Sequence, residues 1–176
     1  KKDTSIMILG NSGNGKSTLT AILNASGFHG LADDLVLMHQ SDRFIYANPA
    51  AISIKEGAWQ ALDTFYPDLK LAESATLTKK KQRVKFIPTK LSSDPLKNRL
   101  PCQRLVWVNY DPKAKTQLRS LSPFIALQLL IPDTWIAPTE EQAHQFLDWF
   151  NETKCWILTF SNNSEAIALF NELIES

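Results

Sequence analysis

The chain has 176 residues, of which 44% are hydrophobic and 21% are charged, and its formal net charge is +1. These values are typical of a globular protein with one sizeable core, and the small net charge gives no indication of a nucleic-acid partner. No apolar run in the sequence is long enough to cross a bilayer. We therefore expect one domain over residues 1–176 that binds neither nucleic acid nor a membrane.

The first elements in chain order are a strand, a glycine-rich loop and a helix. Residues 5–9 form a short apolar run that predicts a buried strand. Residues 10–17 carry the pattern G-x-x-x-x-G-K-S, which is that of a P-loop. Apolar residues then recur at helical spacing until Gly27, a residue type that commonly follows a helix. Strand, loop and helix are the context that this motif requires.

The residue types of the loop suit the binding of a phosphate chain. Its glycines allow backbone dihedrals that turn successive N–H groups toward an anion, and the helix N-terminus adds a partial positive charge. Lys16 would bring a cation to the β- and γ-phosphates, and the Ser17 hydroxyl would ligate Mg²⁺. A glycine-rich turn without a ligand is the alternative. The predicted ATP-binding residues are Asn11, Ser12, Gly13, Asn14, Gly15, Lys16, Ser17 and Thr18.

Two adjacent aspartates, Asp33 and Asp34, follow the predicted helix. P-loop enzymes need a carboxylate near the metal, and it usually comes from a neighbouring strand end. Adjacent acids at a strand end point to different sides, so one can hold Mg²⁺ while the other faces a substrate hydroxyl. The alternative is a solvated turn.

The segment after the aspartates predicts antiparallel pairing. Residues 35–38 and 44–47 are apolar stretches around a polar turn, which indicates a hairpin. An all-parallel P-loop fold would not need one here. A brief strand is expected at 52–54, ending at Lys55, and a helix is expected after Gly57, terminated by Pro67.

The remaining elements follow from periodicity and capping signals. Strands at 75–77 and 83–87 flank a basic turn, which is either solvated or a docking site for an acidic substrate or phosphate. The hairpin and the strand at 83–87 are expected to lie in one mixed sheet beside the strand at 5–9. If Asp33 and Asp34 are not the site carboxylates, Asp111 and Glu56 are the next candidates. Asp111 is alternatively part of a turn, which the proline that follows it favours. Further elements are a loop at 88–101, a strand at 105–108, a helix capped by Ser122, a helix capped by Thr139, a strand at 155–160 and a helix capped by Ser164.

The two cysteines, Cys102 and Cys155, are isolated and lack metal-site spacing. Two buried thiols in a reducing cytoplasm are a simpler interpretation than a disulfide or a metal site. The chain begins with Lys1 rather than Met, which fits a segment of a longer protein. The reduced thiols predict a cytoplasmic location, and a homo-oligomer is left open.

The glycine-rich motif followed by Ala32-Asp33-Asp34 resembles the catalytic domain of HPr kinase/phosphorylase and its HPr-kinase-like relatives. Asp33 follows Ser17 by 16 positions, which is similar to the spacing in that family. The resemblance extends loosely over most of the chain, and its specific motifs lie within the first 34 residues. It implies a P-loop domain related to phosphoenolpyruvate carboxykinase, of the α/β class with a mixed, partly antiparallel sheet.

The family resemblance also implies a reaction, the ATP-dependent phosphorylation of a serine hydroxyl. It implies that Asp33 is the general base and that Asp34 holds Mg²⁺ together with Ser17. Lys16 would stabilise the transferring charge. Lys55 ends a segment that is similar to a short family strand with a basic end, and it would steady the phosphate.

The same segment departs from HPr kinase itself, whose Glu-Ile-Arg-Gly is matched here by residues 53–56 out of register. This difference predicts a divergent relative whose acceptor is another protein, a peptide or a small hydroxyl compound. The alternatives are a nucleotide-binding regulatory module, an ATPase without a phosphoacceptor, and a silent relative that recruits a partner through the basic turn. The chain lacks the Asn-Lys-x-Asp motif of GTPases and the Leu-Ser-Gly-Gly-Gln signature of transporter ATPases.

Overall fold

The chain forms two sheets and four α-helices, described by a computed structural model over residues 4–39, 42–77, 81–89 and 91–175. The strands are β1 (Ser5–Leu9), β2 (Leu37–Met38), β3 (Phe44–Tyr46), β4 (Ile52–Lys55), β5 (Ala75–Leu77), β6 (Gln82–Ile87), β7 (Arg99–Tyr110), β8 (Gln117–Ser120) and β9 (Lys154–Phe160). The α-helices are α1 (Lys16–Ala25), α2 (Pro123–Leu130), α3 (Glu140–Asn151) and α4 (Asn163–Glu175). The predicted α/β class is confirmed.

The larger sheet is mixed and has six strands, as the predicted partly antiparallel sheet requires. Its long strand β7 pairs in parallel with β1 and β9, and antiparallel with β3 through residues 99–101. The β2–β3 hairpin and β8 complete it. Because β1, β7 and β9 run in parallel, their carboxyl ends meet at one edge of the sheet. The glycine-rich loop, residues 10–15, follows β1 at this edge.

The smaller sheet is separate and antiparallel, in the order β4-β6-β5. The prediction that the strand at 83–87 would join the sheet of β1 is therefore wrong, whereas the hairpin around Asp42 does join that sheet. The apolar side of the smaller sheet, with Ile52, Ile54 and Ile87, packs onto α1. This layer buries a second apolar stripe of the helix that the larger sheet does not reach.

Helix α1 lies between the two sheets, and this position explains its burial. Leu19 and Leu23 pack in a cluster with residues of β7 and β9, whereas Ala21 and Ile22 pack in a cluster with the smaller sheet. After the helix, Gly27 has φ +95°, and the Phe28 N–H donates to the Leu23 carbonyl at 3.0 Å. This is a Schellman ending, and it confirms the predicted role of Gly27.

The opposite face of the larger sheet is covered by α2 and α3. Trp149 of α3 is buried there and donates its indole N–H to the Cys102 carbonyl at 2.7 Å. Both thiols are buried and free, as predicted, and burial raises the pKa of Cys155 to about 11. The thiols therefore belong to the core.

Several predicted boundaries are corrected by the structure. No α-helix follows Gly57: that segment is a series of 3-10 turns, and Pro67 begins one of them instead of ending a helix. Tyr66 there donates its hydroxyl to the Ala21 carbonyl at 2.8 Å, so tertiary contacts with α1 override the local helical pattern. The predicted 88–101 loop is shorter, because β7 begins at Arg99.

The predicted helix caps are correct in two of three cases. Ser122 and Thr139 accept hydrogen bonds from the N–H groups of Ile125 and Gln142. The last helix is instead capped by Asn162, whose side-chain oxygen accepts from Ser164 at 2.8 Å. In the ranges described, no helix is both long and apolar enough to span a membrane.

Candidate functional site

The glycine-rich loop has the backbone conformation that its sequence predicts. Gly10, Gly13 and Gly15 have φ values of +138°, +97° and +87°, which other residues rarely adopt. A Cβ at Gly10 would lie 2.7 Å from the Val108 carbonyl oxygen, and one at Gly15 would lie 3.1 Å from the Tyr110 Cβ. The loop is therefore seated tightly against the carboxyl end of β7.

Replacement of Gly10 with Ala is expected to lower the free energy of unfolding by about 1–3 kcal/mol, because it adds a backbone clash to an unfavourable φ. Gly57 is the matched control, since its φ is not positive and a Cβ there meets nothing within 4 Å. Urea unfolding midpoints measure both effects. Equal stability of Gly10→Ala and Gly57→Ala would contradict this seating of the loop.

Lys16, the first residue of α1, turns back across the loop. Its ammonium donates to the carbonyl oxygens of Gly10 at 2.6 Å and Asn11 at 3.0 Å. The side chain is half-buried and its cation lies at the loop. This location is the one that the motif predicts for a phosphate-binding lysine.

Asp33 is brought to the beginning of α1, as the sequence spacing predicts. Ser17 donates its hydroxyl to one carboxylate oxygen of Asp33 at 3.4 Å, and the Ser53 N–H of β4 donates to the other at 3.4 Å. Burial, followed by the nearby charge of Asp34, raises the pKa of Asp33, although the hydrogen bonds from Ser53 and Ser17 oppose the rise. Asp34 itself is exposed. The structure thus places Asp33, rather than Asp34, next to the hydroxyl of Ser17.

Lys55 is the second cation at the loop. It lies at the end of β4, and its ammonium donates to the Ser12 hydroxyl at 3.1 Å. The smaller sheet therefore supplies both a cation and the N–H group that holds Asp33. The Lys55 ammonium therefore points toward the loop.

Two further acids that the sequence offered are engaged elsewhere. The Asp111 carboxylate accepts from the Lys113 N–H at 2.9 Å, so it closes its own turn, which is the alternative that the sequence favoured. Glu56 forms an ion pair with Arg83 at 2.8 Å. In the basic segment, residues 79 and 80 lie outside the described ranges.

The side chains at the loop fit Mg²⁺ only together with other oxygen ligands. Among the described residues, no group of three or more His, Cys, Asp or Glu side chains could hold a metal. Mg²⁺ is usually held by one or two protein oxygens plus phosphates and water. The Ser17 hydroxyl and one neighbouring carboxylate match that pattern.

The raised pKa of Asp33 has a consequence for stability. A carboxylate that binds its proton more tightly in the folded state opposes folding once it ionises, and this cost disappears below its unfolded pKa of about 4. We expect Asp33→Asn to raise the unfolding temperature at pH 7.5, and we expect the gain to fade as the pH approaches 4. Thermal unfolding at several pH values tests this, with exposed Asp133→Asn as control. A gain that is independent of pH would contradict it.

Two contributors to the site were missed by sequence reasoning. The Ser53 N–H is a backbone group, so only the position of β4 could reveal it. Tyr110 ends β7, and its N–H donates to the Asn14 carbonyl at 3.1 Å. Its place two residues after the apolar run 105–108 was the available signal, because strand ends line such sites.

Comparisons of the chain with protein-family models, curated proteins and solved structures find no match. The resemblance to HPr-kinase-like proteins therefore stays a prediction from the motifs. Functional conclusions depend on the site geometry.

Proposed function

We propose that the chain is an ATP- and Mg²⁺-dependent kinase that transfers the γ-phosphate to a hydroxyl group. One observation carries the proposal: Lys16, Ser17, Asp33 and Lys55 come from three separate segments and converge at one glycine-rich loop. Two cations and a partly buried carboxylate at such a loop match the needs of phosphoryl transfer. The loop would act as a P-loop within an HPr-kinase-like domain.

The proposed reaction follows from the position of each group. Backbone N–H groups of the loop and Lys16 bind the phosphates. Ser17 and Asp34 would hold Mg²⁺, which would neutralise negative charge on the phosphates. Lys55 neutralises charge on the transferring group. Asp33 accepts the proton of the acceptor hydroxyl, whose oxygen bonds to the γ-phosphorus as the bond to the ADP oxygen breaks.

Asp33 suits the role of base for two reasons. Its raised pKa makes it a better proton acceptor than an ordinary carboxylate, and the Ser53 N–H fixes its orientation. Its position beside Ser17 would also suit a metal ligand. In the opposite assignment, Asp33 binds Mg²⁺ and Asp34 is the base. The Mg²⁺ dependence of transfer in Asp33→Asn and Asp34→Asn distinguishes the two assignments.

The experiment that tests the proposal is a transfer assay with γ-labelled ATP and Mg²⁺. Candidate acceptors are proteins, serine peptides and small hydroxyl compounds from the native host. Label transferred to an acceptor supports the kinase, whereas label released only to water indicates an ATPase. Binding without either reaction indicates a regulatory module. Failure to bind Mg²⁺–ATP would overturn the proposed nucleotide site itself.

A further inference from the structure

Tyr110 is an exposed aromatic side chain at the carboxyl end of β7, directly beside the glycine-rich loop. Its side chain is 47% exposed, whereas the neighbouring strand-end residue Phe160 of β9 is 2% exposed. The proposed phosphate chemistry assigns no role to Tyr110. An aromatic ring open to solvent at such an edge is a candidate contact for a planar ligand.

The position of Tyr110 is fixed by contacts on two sides. Its N–H donates to the Asn14 carbonyl, and a Cβ at Gly15 would lie only 3.1 Å from the Tyr110 Cβ, which is tighter than an ordinary contact. Its ring meets the ring of Phe160 in an edge arrangement, with centroids 5.4 Å apart and planes at 64°. The ring is therefore supported from the core side and held next to the loop.

Charged side chains lie on the side of the loop that faces the smaller sheet, and aromatic side chains lie at the strand ends of the larger sheet. Asp33 is hydrogen-bonded to β4 of the smaller sheet, and Lys55 belongs to that strand, so the groups proposed for phosphoryl transfer lie toward that sheet. Tyr110 and Phe160 end strands of the larger sheet. A nucleoside triphosphate whose γ-phosphate faces Asp33 would direct its nucleoside away from the smaller sheet, over the end of β7.

We infer that Tyr110 is a stacking platform for the nucleobase of the bound nucleotide, an assignment that rests on the proposed function. Phe160 supports the platform from below. Stacking on an aromatic ring strengthens binding but discriminates little between bases, because every base has a π-face. The protein should therefore bind ATP and GTP with similar affinity, and both should bind more tightly than a triphosphate without a base.

The test compares the affinity of Mg²⁺–ATP with that of Mg²⁺–tripolyphosphate, which has no base. Tyr110→Ala should weaken ATP binding about 10- to 100-fold and leave tripolyphosphate binding unchanged. Tyr110→Phe keeps the ring and should retain both affinities. Phe124→Ala, which removes an aromatic ring that is 71% exposed on α2, is the control and should change neither.

The possible outcomes separate the inference from the function beneath it. Unchanged ATP affinity in Tyr110→Ala would overturn the platform, and so would an equal loss of both affinities, because that shows damage to the loop. If the wild-type protein binds tripolyphosphate as tightly as ATP, the phosphate site is supported and the stacking platform is ruled out. If the wild-type protein binds neither ligand, the proposed function fails first.

Discussion

Replacement of Lys16 with Ala is expected to weaken Mg²⁺–ATP binding by about 10- to 100-fold and to abolish phosphoryl transfer. A hydrogen bond to a charged group contributes about 1.5–3 kcal/mol, and each 1.4 kcal/mol is a factor of ten in affinity. Transfer suffers more than binding, because the transferring group develops charge that the lysine would stabilise. Calorimetric titration with ATP and the transfer assay measure the two effects.

Lys154→Ala is the matched control for Lys16→Ala. Lys154 is exposed at the first residue of β9, at the opposite end of that strand from the loop. Its removal changes the net charge by the same amount, so a general electrostatic effect would appear in both variants. Unchanged titration heats in Lys16→Ala would rule out the phosphate-binding role of this loop.

Replacement of Asp33 with Asn is expected to reduce the rate of transfer by about 10²- to 10⁴-fold while most of the Mg²⁺–ATP affinity remains. Removal of a general base typically has an effect of this size. The amide is nearly isosteric and its oxygen can still accept the hydrogen bond from the Ser53 N–H, so the loop should keep its geometry. The rate is measured with saturating ATP across a Mg²⁺ titration.

Asp34→Asn is the comparison that assigns the two roles. If Asp34 holds the metal, this variant should need more Mg²⁺ and should recover part of its rate at high metal concentration. If the Mg²⁺ dependence shifts in Asp33→Asn instead, Asp33 is the metal ligand and Asp34 is the base. The 3.4 Å hydrogen bond between Ser17 and Asp33 would then place two metal ligands side by side. A full rate of transfer by Asp33→Asn would exclude Asp33 as the base. Identical behaviour of both variants at every metal concentration would reject any division of labour.

The parts of the fold that the sequence predicted are those specified by local chemistry. Gly10, Gly13 and Gly15 predicted a loop with positive φ values, and two apolar stretches around a polar turn predicted the hairpin of β2 and β3. The Ser122 and Thr139 caps depend on contacts within one turn. Each of these signals lies within a few residues of the feature that it specifies, so no knowledge of the tertiary structure was needed.

The parts that the sequence missed depend on partners far along the chain. The residue types of β6 do not show whether this strand joins the larger sheet or a second sheet. The second apolar stripe of α1, which the smaller sheet covers, decides between the two. The predicted helix after Gly57 fails because Tyr66 and Trp59 bond to backbone carbonyls at Ala21 and Ile54. The proximity of Ser17 and Asp33 was predicted from their spacing. The Ser53 N–H of β4 and Tyr110 at the end of β7 were missed, because their positions depend on tertiary packing.

Ser53 and Lys55 lie on one short strand, so the positions of Asp33 and of the Lys55 ammonium both depend on that strand. They are two residues apart, so any displacement of β4 moves the hydrogen bond to Asp33 and the cation at Ser12 together. The same strand buries Ile52 and Ile54 against α1, and this packing resists such a displacement. In the proposed reaction, proton acceptance by Asp33 and charge neutralisation by Lys55 would therefore both depend on the position of β4, and a small displacement of this strand would impair both steps at once.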